Sequence, residues 1–196
     1  PLLKNIDFLP AWDIIDFENY DVAVSKKRRM AYLLPIRGCP NYCTYCSNPV
    51  WKLEKPWVRQ RSPKNIAEEV NYLYNKGIRE IYLRSDTFNV DIKWCLEVCD
   101  EILKLGLKGM TFQCNLRADK VNSELAQRLK AINVWLVHIG LESANDRVLK
   151  GIGKNVTQED NLKTLKILKE HSIKVYGFLM LYNAWETNDR LEYETP

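Results

Sequence analysis

Five short apolar runs alternate with helical patterns along this chain, and no other feature restricts its fold as strongly. The runs are Met30 to Ile36, Glu80 to Leu83, Met110 to Cys114, Val134 to Leu141 and Lys174 to Leu181. Helices are predicted between them by caps as well as by period. Ser62 as N-cap, with Pro63 in the first turn, opens a stripe of Ile66, Val70 and Leu73 that Gly77 can end. Asp91 precedes Val98, Ile102 and Leu105, with Gly106 as the stop, and a third helix is expected near Ser123 to Leu129. Thr157 can cap a segment carrying Leu162, Leu165 and Leu168. The runs are apolar on both faces, as strands buried in a parallel sheet should be. Repeated βα units imply such a sheet covered by helices, either open and doubly wound or part of a barrel. No GxGxxG follows the first run, which weakens a dinucleotide-binding reading.

At 196 residues the chain has the size of one ordinary domain. Residues 1–24 read as a connecting segment, rich in aromatics and acids such as Phe8, Trp12, Phe17 and Tyr20; residues 25–196 read as the core domain. No run approaches the roughly 18 apolar residues of a membrane span, and Pro1-Leu2-Leu3-Lys4-Asn5 lacks the design of a secretory leader. A cytoplasmic, reducing setting with no membrane partner is therefore expected. A formal net charge of +4 is too mild to announce a polyanionic partner. The run Lys26-Lys27-Arg28-Arg29 reads as a solvated turn before a strand, leaving nucleic acid a minority option.

Cys39, Cys43 and Cys46 put three thiols within one short loop, with no obvious fourth ligand nearby. A closed zinc site needs four protein ligands, whereas an iron–sulfur cube held by three thiolates keeps one iron open to a substrate or cofactor. Zinc completed by the distant His138 or His171, and a disulfide loop, are the bland alternatives. Cys95 and Cys99 lie four apart on a predicted helix and, like Cys114, read as small core hydrophobes.

In parallel βα architectures the working groups sit at the carboxyl ends of the strands. Here the first run leads into the cysteine loop, and the next three end at Arg84-Ser85-Asp86-Thr87, Asn115-Leu116-Arg117 and Glu142-Ser143. Charged groups thus converge on one rim, although Asp86, Arg117 and Glu142 are also residues that form caps and surface ion pairs.

The CxxxCxxC spacing, with an aromatic residue, Tyr45, just before the last cysteine, resembles the radical S-adenosylmethionine superfamily. Members related to cobalamin-dependent radical enzymes and methylthiotransferases carry stretches similar to Asp86-Thr87-Phe88, Arg117-Ala118-Asp119 and Gly140-Leu141-Glu142-Ser143. The resemblance runs from about Pro10 to Thr187. It implies an α/β fold, a partial (β/α)6 barrel with about five parallel strands here and the chain stopping before a sixth, as in a fragment of a longer polypeptide. It also implies that Cys39, Cys43 and Cys46 hold a [4Fe-4S] cluster whose open iron chelates S-adenosylmethionine. Reductive cleavage would then give a 5′-deoxyadenosyl radical that abstracts hydrogen. Tyr45, Asp86, Arg117 and Glu142 are the implied cofactor contacts: Asp86 for the ammonium, Arg117 for the carboxylate, Glu142 for ribose hydroxyls or the ammonium.

Leu9-Pro10-Ala11-Trp12-Asp13-Ile14-Ile15, Trp51 and Arg59-Gln60-Arg61-Ser62 suit the branch in which a cobalamin-binding domain precedes this core. Cobalamin would be bound by sequence outside the chain. The implied activity is methylation or rearrangement of a small-molecule substrate, with an electron donor such as flavodoxin or ferredoxin. The alternatives are a cobalamin-independent radical enzyme such as a methylthiotransferase, or an iron–sulfur binding module without radical activity. One motif departs. Where the family has a Gly-x-Pro-Gly-Glu-Thr turn, this chain has Tyr182-Asn183-Ala184-Trp185-Glu186-Thr187, so adenine contacts are altered or the turn is rebuilt. His138 is expected as a core or barrel-lining residue, His171 as a helix-end partner, and Trp57 as a shield beside the cysteine loop. Gly151-Ile152-Gly153-Lys154 reads as a plain turn after a short helix.

Overall fold

The computed structural model describes residues 3–19, 24–27, 29–48, 52 and 54–186. Tyr20, Arg28, Trp51, Thr187 and the C-terminal end, all used in the reading above, lie outside them. Within them the βα alternation runs β1 (Met30–Leu33), β2 (Ile36–Arg37), β3 (Arg59–Gln60), α1 (Pro63–Asn75), β4 (Glu80–Leu83), α2 (Ile92–Lys104) and β5 (Thr111–Leu116). It continues with α3 (Ser123–Ala131), β6 (Val134–Glu142), α4 (Asp146–Gly151), α5 (Gln158–Glu170) and β7 (Lys174–Leu179). β1, β4, β5, β6 and β7 form one sheet in that order, and every pairing is parallel. The described strands form an open sheet, consistent with part of a barrel.

The caps behave as their residue types dictate. Ser62, Asp91 and Thr157 each accept a backbone N–H from the first turn of α1, α2 and α5, and Gly77 and Gly106 take positive φ just past α1 and α2. Ile66, Val70 and Leu73 are fully buried against Ile81, Leu83, Val98 and Phe112, worth about 1.5–3 kcal/mol each. Neighbouring helices pack on one another in the sequence α1, α2, α3, α5. One layer of helices on one face of the sheet is barrel-like wrapping rather than double winding.

Two expectations need correction, and α5 adds a detail. The run Met30 to Ile36 is two strands, because Pro35 has no N–H; Leu33 O accepts from Arg84 N at 2.8 Å, and Ile36 turns away to pair with Gln60. The strands are not uniformly buried: β7, at one edge of the described sheet, is largely exposed, and Tyr32, Tyr176 and Phe178 are nearly half exposed. On α5, Leu162 is 60% exposed, while Asn161, Thr164 and Leu168 face inward. The inward polar groups satisfy backbone at the sheet's rim: Asn161 donates to Leu141 O, and Thr164 Oγ1 donates to Ala118 O at 2.6 Å.

Candidate functional site

The chain enters the cysteine loop through Gly38, whose φ is +85°; a Cβ there would lie 1.8 Å from the carbonyl oxygen of Trp57. Only glycine can occupy that position. Asp86, at the end of β4, accepts from Gly38 N at 2.9 Å and so ties the loop's entrance to the rim. Cys39 and Cys43 are buried and Cys46 is half-buried; all three are free thiols. Cys39 Sγ accepts from Asn41 Nδ2 at 3.2 Å and lies 3.5 Å from Thr87 Oγ1, while Cys46 Sγ accepts from Asn48 N at 3.4 Å. The far side of the loop is fastened to the turn after α4, where Thr44 N and Oγ1 both donate to Ile152 O. Gly153, at φ +63°, lets that turn approach Tyr42 O.

Two charged clusters close on this loop. At the end of β5, buried Arg117 forks onto Asp119 (2.9 and 3.4 Å), donates to Lys154 O at 2.8 Å, and points Nη1 at Cys43 Sγ, 3.9 Å away. Burial works against the Arg117 charge, but the Asp119 carboxylate outweighs it and the pKa moves up. At the end of β6 the ladder to β7 shifts register between Gly140 and Glu142, and Glu142 takes φ +63°. Its Oε1 accepts from Tyr45 OH at 2.9 Å and from Lys154 Nζ at 3.1 Å. Lys154 Nζ also reaches Tyr45 OH at 3.1 Å. Burial, then the neighbouring Glu142 charge, raises the Tyr45 pKa, so the phenol stays protonated and donates.

The rim is therefore assembled from Cys39, Cys43, Tyr45, Cys46, Asp86, Arg117 and Glu142, with Asp86 engaged on the loop backbone. Lys154 and Thr87 join them without having been singled out as site residues. The sequence did carry a signal for Lys154, a cation at a tight Gly-x-Gly turn, but only the fold brings it to Glu142. The divergent turn is rebuilt: Asn183 pairs twice with Glu186, Tyr182 takes φ +60°, and the Trp185 ring fills the space beside Gly151.

The remaining candidates have other partners. His138 lies on the sheet's open face, bonded to Gln113 at 2.9 Å and stacked on Tyr82 with centroids 4.7 Å apart; His171 bonds Ile167 O at the end of α5. Trp57 meets Tyr42 edge-on beside the loop. Cys95, Cys99 and Cys114 are in the core, and burial pushes the Cys99 thiol up to about 12. Among the described residues, no three His, Cys, Asp or Glu side chains gather as ligands of a single metal ion.

The model of the radical SAM superfamily matches residues 33–192. The chain belongs to that family. It is 28% identical over 195 residues to an uncharacterized methyltransferase of Pyrococcus horikoshii, covering 98% of this chain and 41% of that protein. A tRNA-2-methylthio-N(6)-dimethylallyladenosine synthase of Protochlamydia amoebophila is 30% identical over 169 residues, 81% of this chain and 37% of that one. The fold matches the cobalamin-dependent S-adenosylmethionine radical enzyme OxsB with a TM-score of 0.72, at 21% identity, covering 83% of this chain and 25% of that chain. The chain thus spans well under half of these proteins.

Radical SAM enzymes use a [4Fe-4S] cluster and S-adenosylmethionine. The donor set of this radical SAM core fits that pair. Three uncrosslinked thiols share one loop, N–H groups reach two of the sulfurs, and an arginine and a carboxylate–lysine pair lie against the loop's inner side. No described helix is long and apolar enough to cross a membrane.

Proposed function

We propose that Cys39, Cys43 and Cys46 hold the cluster and that the strand-end groups hold S-adenosylmethionine, making this chain the radical-generating core of a larger cobalamin-linked enzyme. When bound, the two cofactors supply an electron transfer that splits the sulfonium into methionine and a 5′-deoxyadenosyl radical. The observation that carries the reading is the approach of Arg117 Nη1 to Cys43 Sγ, 3.9 Å. Asp119 and Lys154 O occupy the other arms of that guanidinium, leaving Nη1 to meet the cofactor's carboxylate beside the thiols. Glu142 has Oε2 for a ribose hydroxyl or the ammonium, and Lys154 compensates its buried charge. Asp86 keeps Oδ1 for the ammonium. Tyr45, protonated, fixes the loop to β6.

Residues 1–24 act as the link from a preceding domain that contributes cobalamin; the match to the Pyrococcus protein reaches 98% of this chain and so takes in most of them. A small-molecule substrate is methylated or rearranged, with an electron from a flavodoxin or ferredoxin in the cytoplasm. The similarity to the methylthio-adenosine synthase favours a second reading, transfer of a methylthio group without cobalamin. The full-length protein, reconstituted anaerobically with iron and sulfide, is expected to form 5′-deoxyadenosine, and the Cys39→Ala, Cys43→Ala, Cys46→Ala triple variant to lose both iron and that product. Iron uptake and sulfonium cleavage persisting in the triple variant would sink the assignment. Cobalamin uptake by the same protein decides between the two readings.

A further inference from the structure

A cavity of about 460 Å³ opens beside the cysteine loop, on the side of Gly38 and Asn48. Three arginines line it: Arg37 from β2, Arg59 from β3 and Arg84 from the end of β4. Among the described residues none of the three pairs with a carboxylate. Arg59 Nη1 donates to Leu3 O and Arg84 Nη1 to Tyr82 OH, while Arg37 is exposed on the cavity wall. Among the described residues the single acid in the lining is Asp86, which has one oxygen committed to Gly38 N. Two further polar atoms of the lining residues, Arg59 Nε and Ser85 Oγ, are buried and bond to nothing within the described residues. A buried donor left unmatched is costly, and three guanidinium groups sharing one carboxylate neighbour, Asp86, carry a net positive charge into one space. An entering oxyanion relieves both costs. Leu34, Ile36, Pro56 and Trp57 give the rest of the wall its apolar part, beside Ser47 and Asn48.

We propose that this cavity is a subsite for the carboxylate of an organic acid with an apolar body, and that this acid is the molecule whose C–H bond the enzyme attacks. The second half of that statement rests on the radical reading above; the first does not. Guanidinium forks grip a planar carboxylate with two parallel hydrogen bonds, and Leu34, Ile36, Pro56 and Trp57 between the arginines offer contact to a hydrocarbon skeleton. The neighbouring cysteine loop puts such a molecule beside the radical's source.

The test uses the full-length, anaerobically reconstituted protein and three probes: benzoate, benzyl alcohol and inorganic phosphate. Titration calorimetry is expected to show benzoate binding and benzyl alcohol, the same ring without the charge, failing to bind. Arg84→Gln and Arg37→Gln should each weaken benzoate about tenfold, the loss of one charged hydrogen bond. Arg37 is exposed and has no side-chain partner among the described residues, so its variant is expected to stay folded, and Lys166→Gln on the far helix α5 serves as the unaffected control. Benzoate binding equally well in both arginine variants, or not at all in the wild type, would overturn the proposal. Phosphate binding with benzoate excluded would overturn the carboxylate assignment. Failure of the radical reading registers separately, as absence of 5′-deoxyadenosine from the wild-type protein with benzoate binding intact.

Discussion

Gly140 has no side chain, and the buried pair across from it depends on that. A Cβ at this position would lie 2.1 Å from Glu142 Oε1 and 2.7 Å from Lys154 Nζ. Its backbone does not take the positive φ that would bar alanine, so Gly140→Ala changes no charge and displaces only the two side-chain ends. The expected outcome is a protein with wild-type iron content that forms 5′-deoxyadenosine at least about tenfold more slowly, since tenfold corresponds to only about 1.4 kcal/mol of lost positioning. Full activity in this variant would mean that the Glu142–Lys154 pair does not position the cofactor. His138 offers a second test. Burial, then Arg84, lowers its pKa below 6.5, so the unfolded chain binds the proton more readily than the folded one. Stability is therefore complete above about pH 6.5 and declines below it, and His138→Gln should flatten that decline in urea titrations run from pH 7.5 to 5.5. That the cysteine loop, Asp86, Arg117 and Glu142 lie along one rim was legible because strand ends place them without tertiary information, while Tyr45 was singled out by the family resemblance alone. Lys154 and Thr87 were not legible, because a turn after α4 and a rim position gain meaning only when the fold sets them against Glu142 and Cys39.

Thr157 and Asp160 lock the start of α5 reciprocally: Thr157 Oγ1 accepts from Asp160 N, and Asp160 Oδ2 accepts from both Thr157 N and Thr157 Oγ1. These bonds, backbone first, hold the Asp160 pKa below 3.8. A depressed carboxylate stabilises the fold above its unfolded value and ceases to as acid protonates it, so this contribution is lost below about pH 3.8. Thr157→Ala is expected to cost about 1 kcal/mol at pH 7 in urea unfolding and to make the loss between pH 4 and 2 shallower. An unchanged acid limb would show that the box forms equally in the unfolded chain. Caps of this kind made the helices readable from sequence, because Ser62, Asp91 and Thr157 act within their own first turn. The β2–β3 ribbon was unreadable, since two-residue strands have no period and Arg37 meets Arg59 only through the intervening loop. The inward face of α5 could not be read from its leucines: Leu168 is buried but Leu162 is exposed, and the rim carbonyls of Leu141 and Ala118 take the donors of Asn161 and Thr164.

At the scale of the whole molecule, a buried ion pair is central to how the opening segment is held to the barrel-like core. Arg61 and Glu69 are almost wholly inaccessible and in direct contact, and each also reaches the segment: Arg61 Nη2 donates to Phe8 O at 3.0 Å, and Glu69 Oε1 accepts from Trp12 Nε1 at 2.8 Å. Asp7 adds a third tie by accepting from Ser62 N at the head of α1. Removing one member of such a pair strands the other charge without water, which costs more than the hydrogen bond itself. Glu69→Ala is therefore expected to lose about 3–5 kcal/mol of stability in urea unfolding. Trp12→Phe keeps an aromatic ring, though a smaller one, and forfeits one charged hydrogen bond, about 1.5–3 kcal/mol. Because Trp12 belongs to the segment while Glu69 belongs to α1, the two variants separate local from global loss. Trp12→Phe should accelerate hydrogen exchange mainly in residues 3–19, and Glu69→Ala should accelerate it there and through α1 and β1. Equal exchange in residues 3–19 of both variants and the wild type would show that the segment is not held through this pair, and the proposed link to a preceding domain would then need another anchor.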